Sequence, residues 1–300
     1  MNPAREYDPT LTDAAEFKPR LKLRHRIGVV FAAACVVATL LGVVFLVILL
    51  IDIWRDGAGS LSLDFLNAFP SRFAERAGIK PALMGSLWVL GLTALFSFPI
   101  GVGTAIWLEE YAPKNRWTRL IQLNLANLAG VPAIVYGILG LAIFVRGMAL
   151  GRSVVAGSLT LTLLILPVII IAAQEAIRAV PSSIRMGSLA LGATRSQTIR
   201  HHVLPMALPG IMTGTILALS RAIGEAAPLL MIGALSFVPF IPAGPMDEFT
   251  VLPIQIFNWI SRPQPAFHGL AAAAIIVLLV VLLSMNAIAI LLRNRYSRKL

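Results

Sequence analysis

Apolar residues in this chain come in long, nearly unbroken runs separated by short polar stretches. A helix needs about 20 mostly apolar residues to cross a bilayer. Six runs meet that length, at about 27–51, 84–108, 120–145, 154–177, 206–236 and 268–292. They predict an all-α integral membrane protein with six transmembrane helices. The first run is too long for the core of a signal peptide and follows 26 mostly polar residues, so residues 1–26 read as a flexible tail ahead of an uncleaved anchor. Pro99 and Gly101 punctuate the second run, and Gly130, Pro132 and Gly137 the third. In the fifth, Gly210 and Gly214 form a small-xxx-small step that lets a neighbouring helix approach closely. No convincing internal repeat is present.

Composition rules out a water-soluble protein. The chain is 58% hydrophobic and 13% charged, with a mean hydropathy of +0.84, where soluble domains are about 45–50% apolar and about 25% charged. The net charge of +11 reflects membrane orientation, not nucleic-acid binding: of the 25 Lys and Arg, seventeen lie on the side of the tail, the second and fourth inter-span loops and the C-terminus, and seven on the other. The positive-inside rule then places both termini in the cytoplasm. Cys35 is the single cysteine, and His25, His201, His202 and His268 lack the spacing of a metal site. No catalytic constellation is present.

The last of the 25 cations is Arg221, inside the fifth run with Glu225 four residues on. A charge at the bilayer centre costs roughly 2.5–3.5 kcal/mol on insertion scales. On one helix the two residues share a face and can pair. That face must look into protein or a water-filled path. Two roles are open: an ion pair that fixes packing, or a polar point on a translocation path, where a planar, permanently charged guanidinium suits an oxyanion. Gly224 permits close backbone approach there, and Pro228 disturbs the helix one turn later. Ser220 points about 100° away from Arg221 on an ideal helix.

Residues 178–205 are too polar to span and too regular to be a loose linker. Pro181 with Ser182 or Ser183 starts a short helix with Ile184, Leu189 and Leu191 on its apolar side, ending at Gly192. Thr194 and Gln197 then fit a capping box for a second helix to about Val203, before Leu204-Pro205 turns the chain into the fifth span. Two short helices around a glycine make a knob at the membrane face, suited to lie on lipid or to dock a soluble partner.

This segment resembles the EAA loop of ABC-importer permeases, with Gly192, Leu204 and Pro205 in register. The Glu-Ala-Ala positions are instead Met186, Gly187 and Ser188, and the isoleucine position is His202. PIGVGTAIWLEEYAP (99–113), GVPAIVYG (130–137), SRAIGEAAPLLMIGA (220–234) and LPIQIFNW (252–259) together are similar to phosphate-import ABC permeases, the EEYAP element to their A-type rather than C-type subunit. The likeness covers about residues 80–295.

The resemblance implies the type I ABC-importer permease fold and a bacterial inner-membrane protein. It implies a heterodimer with a C-type permease, two ATPase subunits that bind ATP and magnesium, and a periplasmic phosphate-binding protein. Phosphate passage falls to Arg221 and Glu225, with Gly224 and Ser220 beside them. Contact with the ATPase falls to Ser188, Leu189, Ala190, Gly192, Ala193, Leu204 and Pro205. The chain has no G-x-x-x-x-G-K-[ST] loop, so no cofactor and no enzymatic role are expected of it. A permease for sulfate or molybdate, or a secondary transporter or channel working without ATP, are the alternatives.

Overall fold

Hydrocarbon offers no water to backbone N–H and C=O groups, so a spanning segment must close its hydrogen bonds within itself, as a helix. The computed structural model describes residues 21–234 and 237–297, and their regular elements are helical apart from one bridge between Ser153 and Glu248. The chain divides into two units, Met1–Asp52 and Ile53–Leu300. The first unit is described from Leu21, where α1 (Leu21–Gly57) begins. Its residues 24–52 carry exposed side chains on every side of the helix, the pattern of a helix whose solvent is lipid. Residues 1–20 of the expected tail lie outside the described residues.

In the second unit, α3 (Lys80–Ile106), α6 (Val154–Arg178), α9 (Leu204–Ile223) and α12 (Pro265–Ser297) occupy four of the apolar runs, after a short α2 (Leu63–Asn67) capped by Ser62. With α1 these give five helices, among the described residues, long and apolar enough to cross a membrane. The run at 120–145 is not one straight helix. It is α4 (Arg116–Ala129), then α5 (Ala133–Gly140) continued by a π-helical turn to Gly147, bent by 104° at the break. Counted as one span, the bent pair makes six. Gly130 ends α4, Pro132 precedes α5, and the Tyr136 hydroxyl closes the corner by donating to the Leu128 carbonyl at 2.8 Å. The fifth run also divides, into α9 and α10 (Ala227–Ile232). An unanticipated helix, α11 (Leu252–Ile260), follows.

Of the candidate spans the most enclosed is α6, with α3 and α9 packed against it. Hydroxyls stitch α6 to α3: Thr93 Oγ1 donates to the Ser158 carbonyl at 3.3 Å, and Ser158 Oγ lies 3.2 Å from the Val89 carbonyl. Such bonds matter between helices in lipid, where apolar burial drives little association. On the other side, Gly210 and Gly214 pack on Ala176 and Ala172. A Cβ on Gly210 would stand 2.8 Å from the Ala176 Cβ, whereas one on Gly91 meets nothing within 4 Å. Gly210→Ala should therefore lower the thermal midpoint of the detergent-solubilised chain, an overpacking cost of about 1–3 kcal/mol, while Gly91→Ala should not.

Candidate functional site

The charged pair sits at a break in the fifth span, not within a continuous helix. α9 ends at Ile223; Gly224, Glu225 and Ala226 separate it from α10, whose second residue is Pro228. A proline in the first turn loses no helical hydrogen bond, so the sequence restarts a helix here more readily than it continues one. The Gly224 and Glu225 amides fold back onto the Arg221 and Ala222 carbonyls, each at 3.2 Å. This tight turn keeps the two charges together: Arg221 Nε donates to Glu225 Oε1 at 3.3 Å. The Arg221 side chain is 52% exposed and that of Glu225 23%, so this chain alone does not bury them.

The other two residues expected at the path behave differently. Gly224 is exposed, and no other element comes near it: a Cβ there would meet only the Arg221 carbonyl, at 3.8 Å. It follows the last residue of α9. Ser220 faces α12, with its Oγ 2.7 Å from the Ile216 carbonyl and 2.5 Å from Asn286 Oδ1. It joins the wall behind the pair.

The segment 178–205 forms α7 (Ser182–Ala190) and α8 (Arg195–Thr198) around Gly192. Gly192 has φ +85°, a left-handed conformation that glycine adopts without strain. The Thr194–Gln197 capping box is complete, and buried Ser188 and Thr198 pin the two helices through their hydroxyls, 3.0 Å apart. The tip presents Met186, Leu189, Ala190 and Leu191, with Leu191 91% exposed, and the Ala193 amide ties the turn to the Ser188 carbonyl.

Leu204-Pro205 does not turn the chain. α8, a π-helical turn (Ile199–Val203) and α9 run on as one helix, Arg195–Ile223. The wider turn absorbs the proline, which sits at the first positions of α9. A helix of 29 residues is about 43 Å long at about 1.5 Å per residue, and it joins the knob to Arg221 without a hinge.

The residues that hold the knob in place include the EEY of the EEYAP element, whose contacts with the knob the sequence did not reveal. α3 ends in a π-helical turn, Trp107–Tyr111, and three consecutive residues of it each receive an arginine from the following segment. Glu109 Oε1 accepts from Arg178 Nη2 at 2.5 Å and from Gln174 Nε2 at 3.0 Å. Glu110 Oε1 accepts from Arg185 Nε and Nη2 at 3.0 and 2.8 Å. The Arg195 guanidinium lies 5.3 Å from the Tyr111 ring centroid. Arg185 also donates to the Val180 and Ile177 carbonyls at 2.6 and 2.8 Å, closing the C-terminal end of α6. The only signal in the sequence was two adjacent glutamates at the end of an apolar run, with arginines spread over the loop. α3, α6, α7 and α8 are thus fastened at one point.

Comparison with known proteins bears on this arrangement. Residues 97–298 match the family described as "Binding-protein-dependent transport system inner membrane component". The chain is 33% identical over 280 residues to the "Probable ABC transporter permease protein YqgI" of Bacillus subtilis (strain 168), covering 89% of this chain and 93% of that one. It is 30% identical over 295 residues to the "Phosphate transport system permease protein PstA 1" of Mycobacterium tuberculosis (strain CDC 1551 / Oshkosh), covering 94% of each. Its fold matches a chain of a bacterial alginate ABC transporter with a TM-score of 0.68 at 17% identity, over 93% of this chain and 98% of that one.

Proposed function

This chain belongs to the family of binding-protein-dependent transport system inner membrane components, and on that premise we propose that it is a permease subunit of an ATP-driven phosphate importer. It works in a bacterial inner membrane with both termini in the cytoplasm. It pairs with a C-type permease, two ATPase subunits and a periplasmic phosphate-binding protein. It holds no ATP or magnesium itself; the ATPases do.

One observation carries this reading: Arg221 and Glu225 pair at 3.3 Å where α9 breaks before α10, with half of the Arg221 side chain left uncovered by its own chain. A charge at membrane depth cannot face lipid cheaply. The uncovered side therefore looks onto the second permease and a shared aqueous path. The Arg221 fork receives phosphate, Glu225 competes for the fork and eases release, and exposed Gly224 leaves the approach open. Affinity resides in the soluble binding protein, and the membrane site is weak by design of that competition. ATP-driven closure of the ATPases moves the knob, and the continuous helix Arg195–Ile223 carries the movement to Arg221. Alternating access follows.

The test is co-expression with the partner subunits and uptake of labelled phosphate into vesicles. Uptake should require ATP and the ATPase subunits, and excess sulfate or molybdate should not compete. Cysteines at Leu189 or Ala190 should cross-link to the ATPase. Uptake without ATP would instead mark a secondary transporter or channel, equal competition by sulfate another oxyanion permease, and cross-links to lipid alone an interfacial hairpin.

A further inference from the structure

Beside the arginine clamp, a polar pocket of about 560 Å³ opens between the end of α3, the start of α4 and the end of α6. Its walls hold four cations, Lys114, Arg116, Arg119 and Arg178, against one carboxylate, Glu109. Arg178 and Glu109 satisfy each other. Among the described residues, no hydrogen bond, ion pair or ring contact engages the side chains of Lys114, Arg116 or Arg119, and all three are exposed. Positive charge without an acidic counterpart is thus gathered in one concavity.

The helix that contributes two of them is two-faced. Arg119 and Gln122, three apart on α4, turn toward the pocket. Trp117, Leu120 and Leu123, at i, i+3 and i+6, form an apolar ridge beside Arg116 and Arg119, and all are exposed, Trp117 at 74%. The break at 104° sets α4 across the direction of α5. On the importer reading α5 enters the bilayer, which sets α4, bent from it by 104°, along the membrane surface. Trp beside Arg on such a helix is the composition of the membrane–water interface, and basic pockets on the cytoplasmic side take anionic lipid headgroups.

We propose that this pocket binds the phosphate of an anionic glycerophospholipid of the cytoplasmic leaflet, held by Lys114, Arg116 and Arg119, with its acyl chains along the Trp117–Leu120–Leu123 ridge. The cytoplasmic assignment rests on the importer reading; the phosphate chemistry and the apolar ridge do not. Because Glu109 and Arg178 belong to both pocket and clamp, a bound headgroup adds negative charge next to the joint that holds the knob.

The experiment is native mass spectrometry of the full chain in detergent with equimolar phosphatidylglycerol and phosphatidylcholine. The wild-type chain should retain phosphatidylglycerol preferentially, and millimolar inorganic phosphate should not displace it. The preference should fall about fivefold for each cation removed, from Lys114→Gln alone to Lys114→Gln/Arg116→Gln/Arg119→Gln. Arg262→Gln, outside the pocket, should keep it. Equal retention of the two lipids by the wild-type chain would overturn the proposal, without needing any variant to fold. An unchanged preference in the triple variant would do the same. Displacement by inorganic phosphate would mark a free-anion site instead. Loss of the ATPase subunits from the triple variant in purely neutral lipid would mark a protein-docking surface. None of these readings involves transport, so failure here leaves the importer reading standing.

Discussion

Arg221→Lys should lower phosphate uptake by about ten- to a hundredfold while the protein still inserts and assembles. A lysine keeps the positive charge, so the change isolates the fork. Arginine presents paired N–H donors in one plane, and a phosphate accepts two of them at once; an ammonium offers a point charge. One charge-assisted hydrogen bond is worth about 1.5–3 kcal/mol, and about 1.4 kcal/mol is a factor of ten. Arg221→Ala should lose more, because Glu225, 23% exposed in its side chain, then faces the path without its 3.3 Å partner and repels the anion. Glu225→Gln separates binding from release. The amide no longer competes by charge for the guanidinium, so half-saturation should move to lower phosphate while the maximal rate falls. Uptake curves in vesicles with matched subunit content check each case. Near-normal curves for both Arg221→Lys and Glu225→Gln would reduce the pair to a packing contact.

Much of this architecture was legible in the chain because the bilayer is so exacting a solvent. A run such as 154–177 has no structure open to it other than a helix, and α6 occupies Val154–Arg178. The breaks were harder to read. Pro99, Pro167 and Pro209 all sit inside unbroken helices, whereas Gly130–Pro132 produces a bend of 104°. The same residue type gives both outcomes: at the bend Gly130 ends one helix before Pro132 precedes the next. There the Leu128 carbonyl accepts from the Val131 amide at 3.0 Å and from the hydroxyl of Tyr136, eight residues on. The Arg221–Glu225 pair was visible because both members lie four apart. The clamp was not: its pairs span 69 and 75 residues, and only the packing of α3 on α6 brings them together. Leu204-Pro205 misled for a related reason, since a π-helical turn admitted the proline without bending the chain.

That clamp yields the largest expected effect on stability. In the pair of Arg185 and Glu110 the side chains are 24% and 9% exposed, and breaking a buried pair from one side strands the other charge. Arg185→Gln should therefore cost about 3–5 kcal/mol. It removes both donors to Glu110 and also the donors to the Val180 and Ile177 carbonyls. Glu110→Gln should cost less, because Arg185 keeps those carbonyls and an amide oxygen still accepts. Replacing both, as Arg185→Met with Glu110→Leu, should recover much of the loss in thermal midpoint, since a buried pair exchanged for apolar side chains is often neutral. It should not recover transport. The double variant removes the joint between the knob and α3, so ATP hydrolysis should continue in the assembled complex while phosphate uptake lags behind it. Glu175→Gln supplies the contrast: its pair with Arg178 is 64% and 54% exposed, and such surface pairs contribute about 0–1 kcal/mol. Recovery of both stability and coupled uptake in the double variant would show that Arg185 and Glu110 merely fill space at the end of α3.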